Sequence, residues 1–121
     1  MENRKLKRQN QLLIKSYEFA LAIVLFTRKL QDEQKEFVIS KQVLRSGTAI
    51  GALSEEAQQA ESKADFIHKL SIANKEAHET HYWLRLIKDS ELELNEVLVL
   101  IEQSEELKRI LISIIKSAKL K

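Results

Sequence analysis

Cysteine and proline are absent from this 121-residue sequence, and glycine occurs only twice. Without cysteine the chain cannot form a disulfide framework, a thiolate zinc site, an iron–sulfur cluster or a cysteine nucleophile. A cysteine-free chain also fits a reducing, cytoplasmic setting. The shortage of proline and glycine argues against a turn-rich β-sandwich or barrel, which needs many punctuating residues. The bias toward Ala, Leu, Ile, Glu, Lys and Gln instead predicts an all-α domain.

Long hydrophobic runs are missing as well. No stretch approaches the roughly 18 uncharged apolar residues that a membrane-spanning helix requires. Lys15 and Glu18 interrupt the apolar stretch that follows the basic N-terminus, so no secretory signal is expected. The length predicts one domain over residues 1–121, with a basic, flexible tail at 1–9. A domain of this size can bury a core without a disulfide or a metal.

Charge is nearly balanced at +2, but the signs are segregated along the chain. Residues 1–15 carry five bases and one acid, residues 89–106 carry seven acids and no base, and residues 107–121 carry five bases and no acid. Such asymmetry can attract a polyanion. The alternative is that acids near the start of the last helix and bases near its end complement its dipole.

Nucleic-acid binding is the functional interpretation of the two basic segments. No recognition-helix motif and no aromatic stacking platform is evident, so any binding is expected to be sequence-tolerant and sensitive to salt. In an oligomer every basic patch would be repeated, and phosphate contacts would add. The candidate nucleic-acid contacts are Arg4, Lys5, Lys7, Arg8, Lys108, Arg109 and Lys116.

Apolar residues recur at spacings of three and four along the chain, which predicts four helices. The first is expected at about 10–30, followed by a polar break and an apolar connector, 37–39, that plugs the bundle end. Ser40 is the predicted N-cap of the second helix, which reaches about residue 60, and Ser62 with Asp65 forms a capping box for the third, to about residue 87. The fourth starts between 90 and 95 and runs to about 118. Short links between four helices predict an antiparallel up-down-up-down bundle.

Gly47 and Gly51 lie one turn apart in the second predicted helix. Each glycine costs about 1 kcal/mol relative to alanine in a helix interior, so a compensating close approach of a neighbouring backbone is expected. A loop or break at 46–51 is the alternative, but the apolar periodicity continues through the segment and favours an uninterrupted helix.

The last helix has more apolar residues than one face of a bundle can bury. Ile110, Leu111, Ile112, Ile114 and Ile115 occupy five of six consecutive positions. Fully burying each is worth about 1.5–3 kcal/mol, so a homo-oligomer interface is expected here. An aspartate at whichever of Leu111 and Ile115 faces outward should then dissociate the assembly. A broad intramolecular face is the alternative.

Metal and cofactor motifs are weak or absent. The segment His78-Glu79-Thr80-His81 resembles a zinc-protease helix, but its histidines are three residues apart and that motif needs four. The chain also has no Glu-x-x-His pair, which a di-iron bundle requires twice. We therefore expect no cofactor and no metal site, and histidines that are surface-exposed or half-buried.

Two carboxylates, Glu76 and Glu79, continue an otherwise apolar stripe that ends at Trp83. Carboxylates packed in this way need charge partners, and Arg45 and Lys75 are the candidates. They could be catalytic, together with Glu55 and Glu56 at matching depth on the second helix, or they could form a polar network that fixes helix register or an interface. Because no nucleophile, glycine-rich loop or cofactor motif accompanies them, the structural network and a non-enzymatic protein are favoured.

The central segments resemble a known family. Several segments are similar to the bacterial four-helix-bundle family, also called the 23S ribosomal RNA intervening-sequence protein family: Gln42–Ala52, Glu56 with Ala57, Ser62, Asp65–Ile67, Lys69 with Leu70, Ile72–Thr80 and Tyr82–Leu84. These motifs lie between residues 42 and 84, and the length and the flanking helices fit over nearly all of the chain. The sequence departs from the family pattern at Ala49 and Leu53, where serine and asparagine are frequent.

The resemblance implies a non-enzymatic bundle that assembles into a homopentamer around a five-fold axis. A related branch, the accessory variability determinant of diversity-generating retroelements, partners a reverse transcriptase and binds nucleic acid. The expected function is weak nucleic-acid binding or scaffolding of a nucleic-acid-handling partner; the alternative is a purely structural scaffold. Candidate packing and interface positions are Arg45, Ser46, Gly47, Gly51, Glu56, Lys75, Glu76, Glu79, Tyr82 and Trp83.

Overall fold

The computed structural model describes residues 2–90 and 95–120, with side chains from residue 4 onward. This part of the chain forms four helices and no strand: α1 (Glu2–Gln34), α2 (Val38–Ala57), α3 (Lys63–Asp89) and α4 (Glu96–Lys119). The predicted all-α four-helix bundle is thereby confirmed. Among the described helices, none is long and apolar enough to cross a membrane.

Helix α1 begins eight residues earlier than predicted, because the basic residues 2–9 are also helical. This segment is rich in Lys, Arg, Leu and Gln, which all favour helix, and contains no breaker. The helix is also held from the side, since the Arg8 guanidinium donates a hydrogen bond to the Ser113 hydroxyl of α4. Sequence periodicity missed these turns because their apolar content is low.

The end of α1 also differs from the prediction, since the helix continues through the polar residues to Gln34. Lys35 then adopts a left-handed backbone with φ 55°. The Glu36 N–H reaches back to the Leu30 carbonyl at 3.1 Å. The hydrogen bond satisfies a carbonyl group left open at the helix end, and the left-handed residue lets the chain turn back to make it.

Glu36, and not Ser40, caps the start of α2. Its carboxylate accepts hydrogen bonds from the backbone N–H groups of Val38, Ile39 and Ser40, at 3.1, 3.1 and 2.7 Å. Ser40 lies inside the helix, where its buried hydroxyl donates to the Glu36 carbonyl at 2.7 Å. The predicted apolar plug is also wrong in part, because Phe37 and Val38 are exposed and only Ile39 packs against the core.

The predicted cap of α3 is confirmed. Ser62 is the N-cap residue, and its hydroxyl accepts a hydrogen bond from the Asp65 N–H at 3.0 Å. The Asp65 carboxylate in turn accepts the N–H of Glu61 at 3.2 Å. Helix α2 ends at Ala57, three residues short of the prediction. Helix α4 begins at Glu96, one residue after the predicted window of 90–95, and Asn95 is its N-cap residue.

The core consists of the predicted heptad-like seams. Each helix packs against two neighbours, α1 against α2 and α4, and α3 against the same two. Along the contact between α1 and α4, residue numbers increase on one helix where they decrease on the other. Lys15 of α1 pairs with Glu106 of α4, and Lys29 pairs with Glu96. The largest fully buried apolar side chains are those of Phe19, Leu12, Ile23, Leu30, Ile50, Leu70, Leu84, Ile87, Leu107, Leu111 and Val43.

Gly47 and Gly51 are buried within α2, which is uninterrupted as predicted. Both face α1, and the predicted close approach to a neighbouring backbone holds at Gly51, whereas Gly47 meets a side chain. A Cβ atom built on Gly51 would lie 3.2 Å from the backbone oxygen of Ser16. One built on Gly47 would lie 3.0 Å from two side-chain carbons of Ile23. Both distances are tighter than ordinary contacts, so the glycines allow α1 and α2 to approach closely.

The apolar surplus lies on α1 and not at the predicted place on α4. Leu111 and Ile114 are buried, Ile110 and Ile115 pack partly against the core, and Ile112 alone of the five counts as exposed, at 37%. The α1 helix, in contrast, carries a second row of apolar residues opposite its core seam. We call this row the α1 outer stripe: Ile14, Tyr17, Leu21 and Leu25, each between 53% and 64% exposed.

Candidate nucleic-acid interface

Two basic segments from opposite ends of the sequence meet at one end of the bundle. Lys5 and Arg8 of α1 line a cavity of about 130 Å³ together with Ile114 and Ala118 of α4. The hydrogen bond from Arg8 to Ser113 joins the same two helix ends. We call this region the basic end and define it by Arg4, Lys5, Lys7 and Arg8 of α1 with Lys116 and Lys119 of α4.

Solvent exposure in the basic end favours contact with a polyanion. Arg4, Lys7, Lys116 and Lys119 are exposed, while Lys5 and Arg8 are half-buried. Arg8 also has a buried Nε–H without a hydrogen-bond partner. Six cationic side chains thus surround two helix ends, and their combined field attracts negative charge.

Helix dipoles explain only part of this charge. The C-terminus of α4 is the negative end of its dipole, so Lys116 and Lys119 are stabilised there. The N-terminus of α1 is the positive end, where Arg4 and Lys5 in the first turn are unfavourable by about 0.3–1 kcal/mol each. Dipole complementarity therefore accounts for the bases of α4 and leaves those of α1 unexplained.

The candidates Lys108 and Arg109 do not lie at the basic end. Lys108 precedes Lys116 by eight residues, or about 12 Å along the helix axis, and faces α3. Burial, the charge of Lys108 and the proximity of His81 lower the pKa of His78 below its usual value of 6.5. Arg109 is exposed on the outer face of α4. The structure thus brings five of the seven predicted nucleic-acid contacts together and separates these two from them.

An ion pair lies near the opposite end of α1 and α4. The Lys29 ammonium donates to the Glu96 carboxylate at 2.6 Å. This hydrogen bond raises the pKa of Lys29 and lowers the pKa of Glu96. Both charges are therefore stabilised at neutral pH. Two acids of the predicted acidic segment, Glu91 and Glu93, lie outside the described residues.

The carboxylates of α3 form the predicted polar network with Arg45. The guanidinium of Arg45 contacts Glu76 at 3.2 Å and also pairs with Glu79. The indole N–H of Trp83 donates to the same Glu79 carboxylate at 3.0 Å. Because both carboxylates already have cationic or N–H partners, the geometry matches a cross-link between α2 and α3.

Two other predicted network members lie elsewhere. Glu56 pairs with Lys69 of α3 at 3.3 Å, on the same two helices but nearer the basic end. Lys75 is exposed and belongs to none of the ion pairs found in residues 2–90 and 95–120. The expected pairing of Lys75 with Glu76 or Glu79 is thus wrong, because Arg45 occupies both carboxylates.

Tyr82 and Trp83 form an edge-on aromatic pair with ring centroids 5.2 Å apart. The guanidinium of Arg85 lies 5.9 Å from the centroid of the Tyr82 ring. Tyr82 is 48% exposed, whereas Trp83 is half-buried against the core. Aromatic and arginine side chains of this kind are enriched in protein–protein contacts.

Ser46 is buried and shares a 2.8 Å hydrogen bond with Thr80 across α2 and α3. Lys119 is a member of the basic end that the sequence analysis did not select, although it follows Lys116 at helical spacing.

Residues 2–90 and 95–120 contain no group of three or more His, Cys, Asp or Glu able to hold a metal ion. His81 bonds with Glu105 at 3.0 Å.

The chain matches known proteins along most of its length. The family model described as 23S rRNA-intervening sequence protein matches residues 8–113. A crystal structure of a protein of unknown function from the S23 ribosomal protein family of Bacteroides thetaiotaomicron VPI-5482 is 53% identical in sequence, with a TM-score of 0.87. That alignment covers 90% of this chain and 98% of the other. No curated protein matches the chain. The family match extends over far more than half of the sequence, and the chain therefore belongs to the 23S rRNA-intervening sequence protein family.

Proposed function

We propose that this protein is a non-enzymatic, cytoplasmic homo-oligomer, a pentamer, that binds nucleic acid weakly through its basic end or scaffolds a nucleic-acid-handling partner such as a reverse transcriptase. Each subunit is an antiparallel up-down-up-down bundle. The opposite order of contacting residues on neighbouring helices supports that arrangement.

The basic first turns of α1 are the observation that carries the nucleic-acid proposal. Arg4 and Lys5 stand at the helix terminus where the dipole disfavours cations. Lys5 and Arg8 line a cavity with the last turns of α4, which also carry Lys116 and Lys119. A polyanion bound here gains favourable energy from the positive end of the α1 dipole and from the nearby cations, and counterion release adds to it.

The α1 outer stripe supports the oligomer. Four large apolar side chains follow one another at spacings of three and four on the face of α1 that points away from its own bundle. Beside it, Leu25 and Phe26 line an apolar groove of about 380 Å³ with Val99 of α4. A contiguous exposed patch of this kind is typical of a contact between proteins, and a second copy of the chain is the partner we propose.

Assembly strengthens weak binding by repetition. One basic end offers few phosphate contacts, but a ring of identical subunits presents the same cluster several times. The alternative function is a protein scaffold with no role in nucleic-acid binding. The α1 outer stripe fits a scaffold and a nucleic-acid-binding protein equally well. The basic charge at the start of α1 favours nucleic-acid binding.

Titration across salt concentrations tests the proposal. The protein is mixed with labelled structured RNA and with duplex DNA, and affinity is measured by gel shift between about 50 and 200 mM salt. We expect affinity to fall steeply with salt. Joint substitution of Arg4, Lys5, Lys7 and Arg8 by alanine should weaken binding and flatten the slope of log affinity against log salt.

The control is a variant with four cations removed far from the basic end. Arg28, Lys35, Lys41 and Lys88 are suitable for joint substitution by alanine, because they are outside the basic end. This variant has the same net charge as the first and should bind nearly as tightly as the unsubstituted protein. Absence of binding even at low salt, or an equal loss in both variants, would contradict the proposal and favour the scaffold.

A further inference from the structure

The groove between α3 and α4 combines three lysines with an apolar floor. Its volume is about 350 Å³, and it is lined by Asn74 and Lys75 of α3 and by Ile112, Ile115, Lys116 and Lys119 of α4. Every one of these residues lies within the two described ranges. We call this feature the α3/α4 groove.

The lysine charges in the α3/α4 groove are not neutralised by neighbouring acids. Lys75, Lys116 and Lys119 take part in no ion pair within the described part of the chain. The nearest carboxylates on α3, Glu76 and Glu79, are paired with Arg45. On α4, Glu105 contacts His81 and Glu106 contacts Lys15. A ligand in the groove therefore meets a net positive field.

The floor distinguishes between kinds of anion. Ile112 and Ile115 lie between the lysines, and Ile112 is partly open to solvent. A small hydrated anion has no use for apolar surface, and duplex nucleic acid keeps its bases stacked inside. An unpaired nucleotide offers both a phosphate for the lysines and a flat base face for the isoleucines.

Asn74 adds a directional group. Its side chain lines the groove, and its Oδ1 is buried without a hydrogen-bond partner. A buried polar group with no partner is unfavourable by about 1–3 kcal/mol. The edge of a base carries N–H donors that could satisfy this amide, whereas an acidic protein segment would bring mainly carboxylate acceptors.

The groove adjoins the basic end, because Lys116 and Lys119 in its lining flank Ser117 and Ala118, which line the cavity with Lys5 and Arg8. A strand that leaves the groove at the C-terminus of α4 reaches the cations at the start of α1, which line the neighbouring cavity. This adjacency favours a polynucleotide over an isolated nucleotide or an acidic peptide as the occupant.

We propose that a short segment of single-stranded nucleic acid lies in the α3/α4 groove, with phosphates on Lys75, Lys116 and Lys119 and one unstacked base on Ile112 and Ile115. The proposal rests on the nucleic-acid binding proposed above and specifies its form. Lys75 is then a phosphate contact and not a member of the carboxylate network.

Fluorescence anisotropy with a labelled 12-nucleotide oligo-uridine and a duplex of equal length tests the proposal, at the same low salt. We expect the single strand to bind at least about tenfold more tightly than the duplex. Joint substitution Lys75→Gln and Lys119→Gln should weaken single-strand binding about tenfold. The slope of log affinity against log salt should fall by about 1.4, since each phosphate contact to a single strand contributes about 0.7.

A matched control separates the groove from general charge. The double variant Lys35→Gln and Lys41→Gln removes the same charge elsewhere and should leave single-strand affinity within about twofold. Ile112→Ser should lower the affinity for the single strand and leave the affinity for the duplex unchanged. Circular dichroism of each variant verifies that the helices remain intact.

Three results would overturn the proposal for the groove while leaving the proposed function standing. They are equal affinity for duplex and single strand, equal single-strand affinity of the groove and control variants, and a change of oligomer mass in the groove variant. The last would identify the groove as a contact between copies. Binding of a labelled poly-glutamate peptide at the groove, with no binding of the labelled oligo-uridine there, would identify an acidic protein segment as the ligand instead. Binding of neither nucleic acid at low salt would contradict both proposals.

Discussion

Lys35 has the least favourable backbone conformation among the described residues other than glycine. Its φ of 55° lies in the left-handed region, which costs an L-residue about 1–2 kcal/mol and which glycine adopts readily. The hydrogen bond from the Glu36 N–H to the Leu30 carbonyl holds it there. The side chain of Lys35 is exposed and takes part in no hydrogen bond seen in residues 2–90 and 95–120.

We therefore predict that Lys35→Gly raises the free energy of unfolding by roughly 0.5–1 kcal/mol, with the entropy gained by the unfolded chain offsetting part of the benefit. Urea denaturation followed by circular dichroism measures the change. Lys41→Gly, on the exposed face inside α2, should instead lower stability by about 1 kcal/mol. A loss of stability in Lys35→Gly would show that the left-handed turn is not formed.

Residue chemistry also limited what the sequence could predict about helix ends. The capping box at Ser62 was predictable, because a serine three residues before an acid is a local pattern. Glu36 was not, because its carboxylate reaches three successive N–H groups across the turn that Lys35 forms. Ser40 satisfies the same residue preference for a cap and yet lies inside the helix.

At the scale of the elements, α2 packs tightly against α1 at Gly47. Ile23 is fully buried against it, and its branched Cβ leaves the side chain one favoured rotamer in a helix. An added methyl group at 3.0 Å would require Ile23 to move by a few tenths of an ångström. Its buried surroundings and its single favoured rotamer oppose that movement.

We predict that Gly47→Ala lowers the free energy of unfolding by about 1–3 kcal/mol, although alanine favours helix by about 1 kcal/mol. Ile23→Ala combined with Gly47→Ala should destabilise by less than the sum of the two single variants, because Ile23→Ala removes both crowding carbons, Cγ1 and Cγ2. Thermal or urea unfolding of the single and double variants measures both effects. Stabilisation by Gly47→Ala alone would contradict the close packing of these helices.

The seams of all four helices could be predicted from apolar spacing, because a 3.6-residue period is a property of each helix by itself. The α1 outer stripe was missed for the same reason. Its residues recur at the same spacings of three and four as the buried row of α1 that contains Leu12, Phe19 and Ile23. Two apolar rows on one helix can be separated only when the positions of the neighbouring helices are known.

At the scale of the whole molecule, the charge runs were visible in the sequence, but their meeting point was not. Arg8 and Ser113 are far apart in the sequence and come together only because α1 and α4 pack side by side. The same packing removes Lys108 and Arg109 from the basic end. It also places Lys75 of α3 beside Lys116 and Lys119, a grouping that no spacing rule connects.

The oligomer is the claim on which the account depends most, since repeated basic ends turn weak contacts into binding. Leu21 lies in the middle of the α1 outer stripe and is 53% exposed, so an aspartate there should not disturb the subunit's own core. Val38 is 74% exposed at the start of α2, away from the stripe, and provides a matched control.

Sedimentation equilibrium of the unsubstituted protein, Leu21→Asp and Val38→Asp in dilute solution measures this directly. We predict a mass near five times the 14.0 kDa of one chain for the unsubstituted protein and for Val38→Asp. Leu21→Asp should sediment as a single helical chain. A mass of 14.0 kDa for the unsubstituted protein, or an unchanged assembly in Leu21→Asp, would contradict the account.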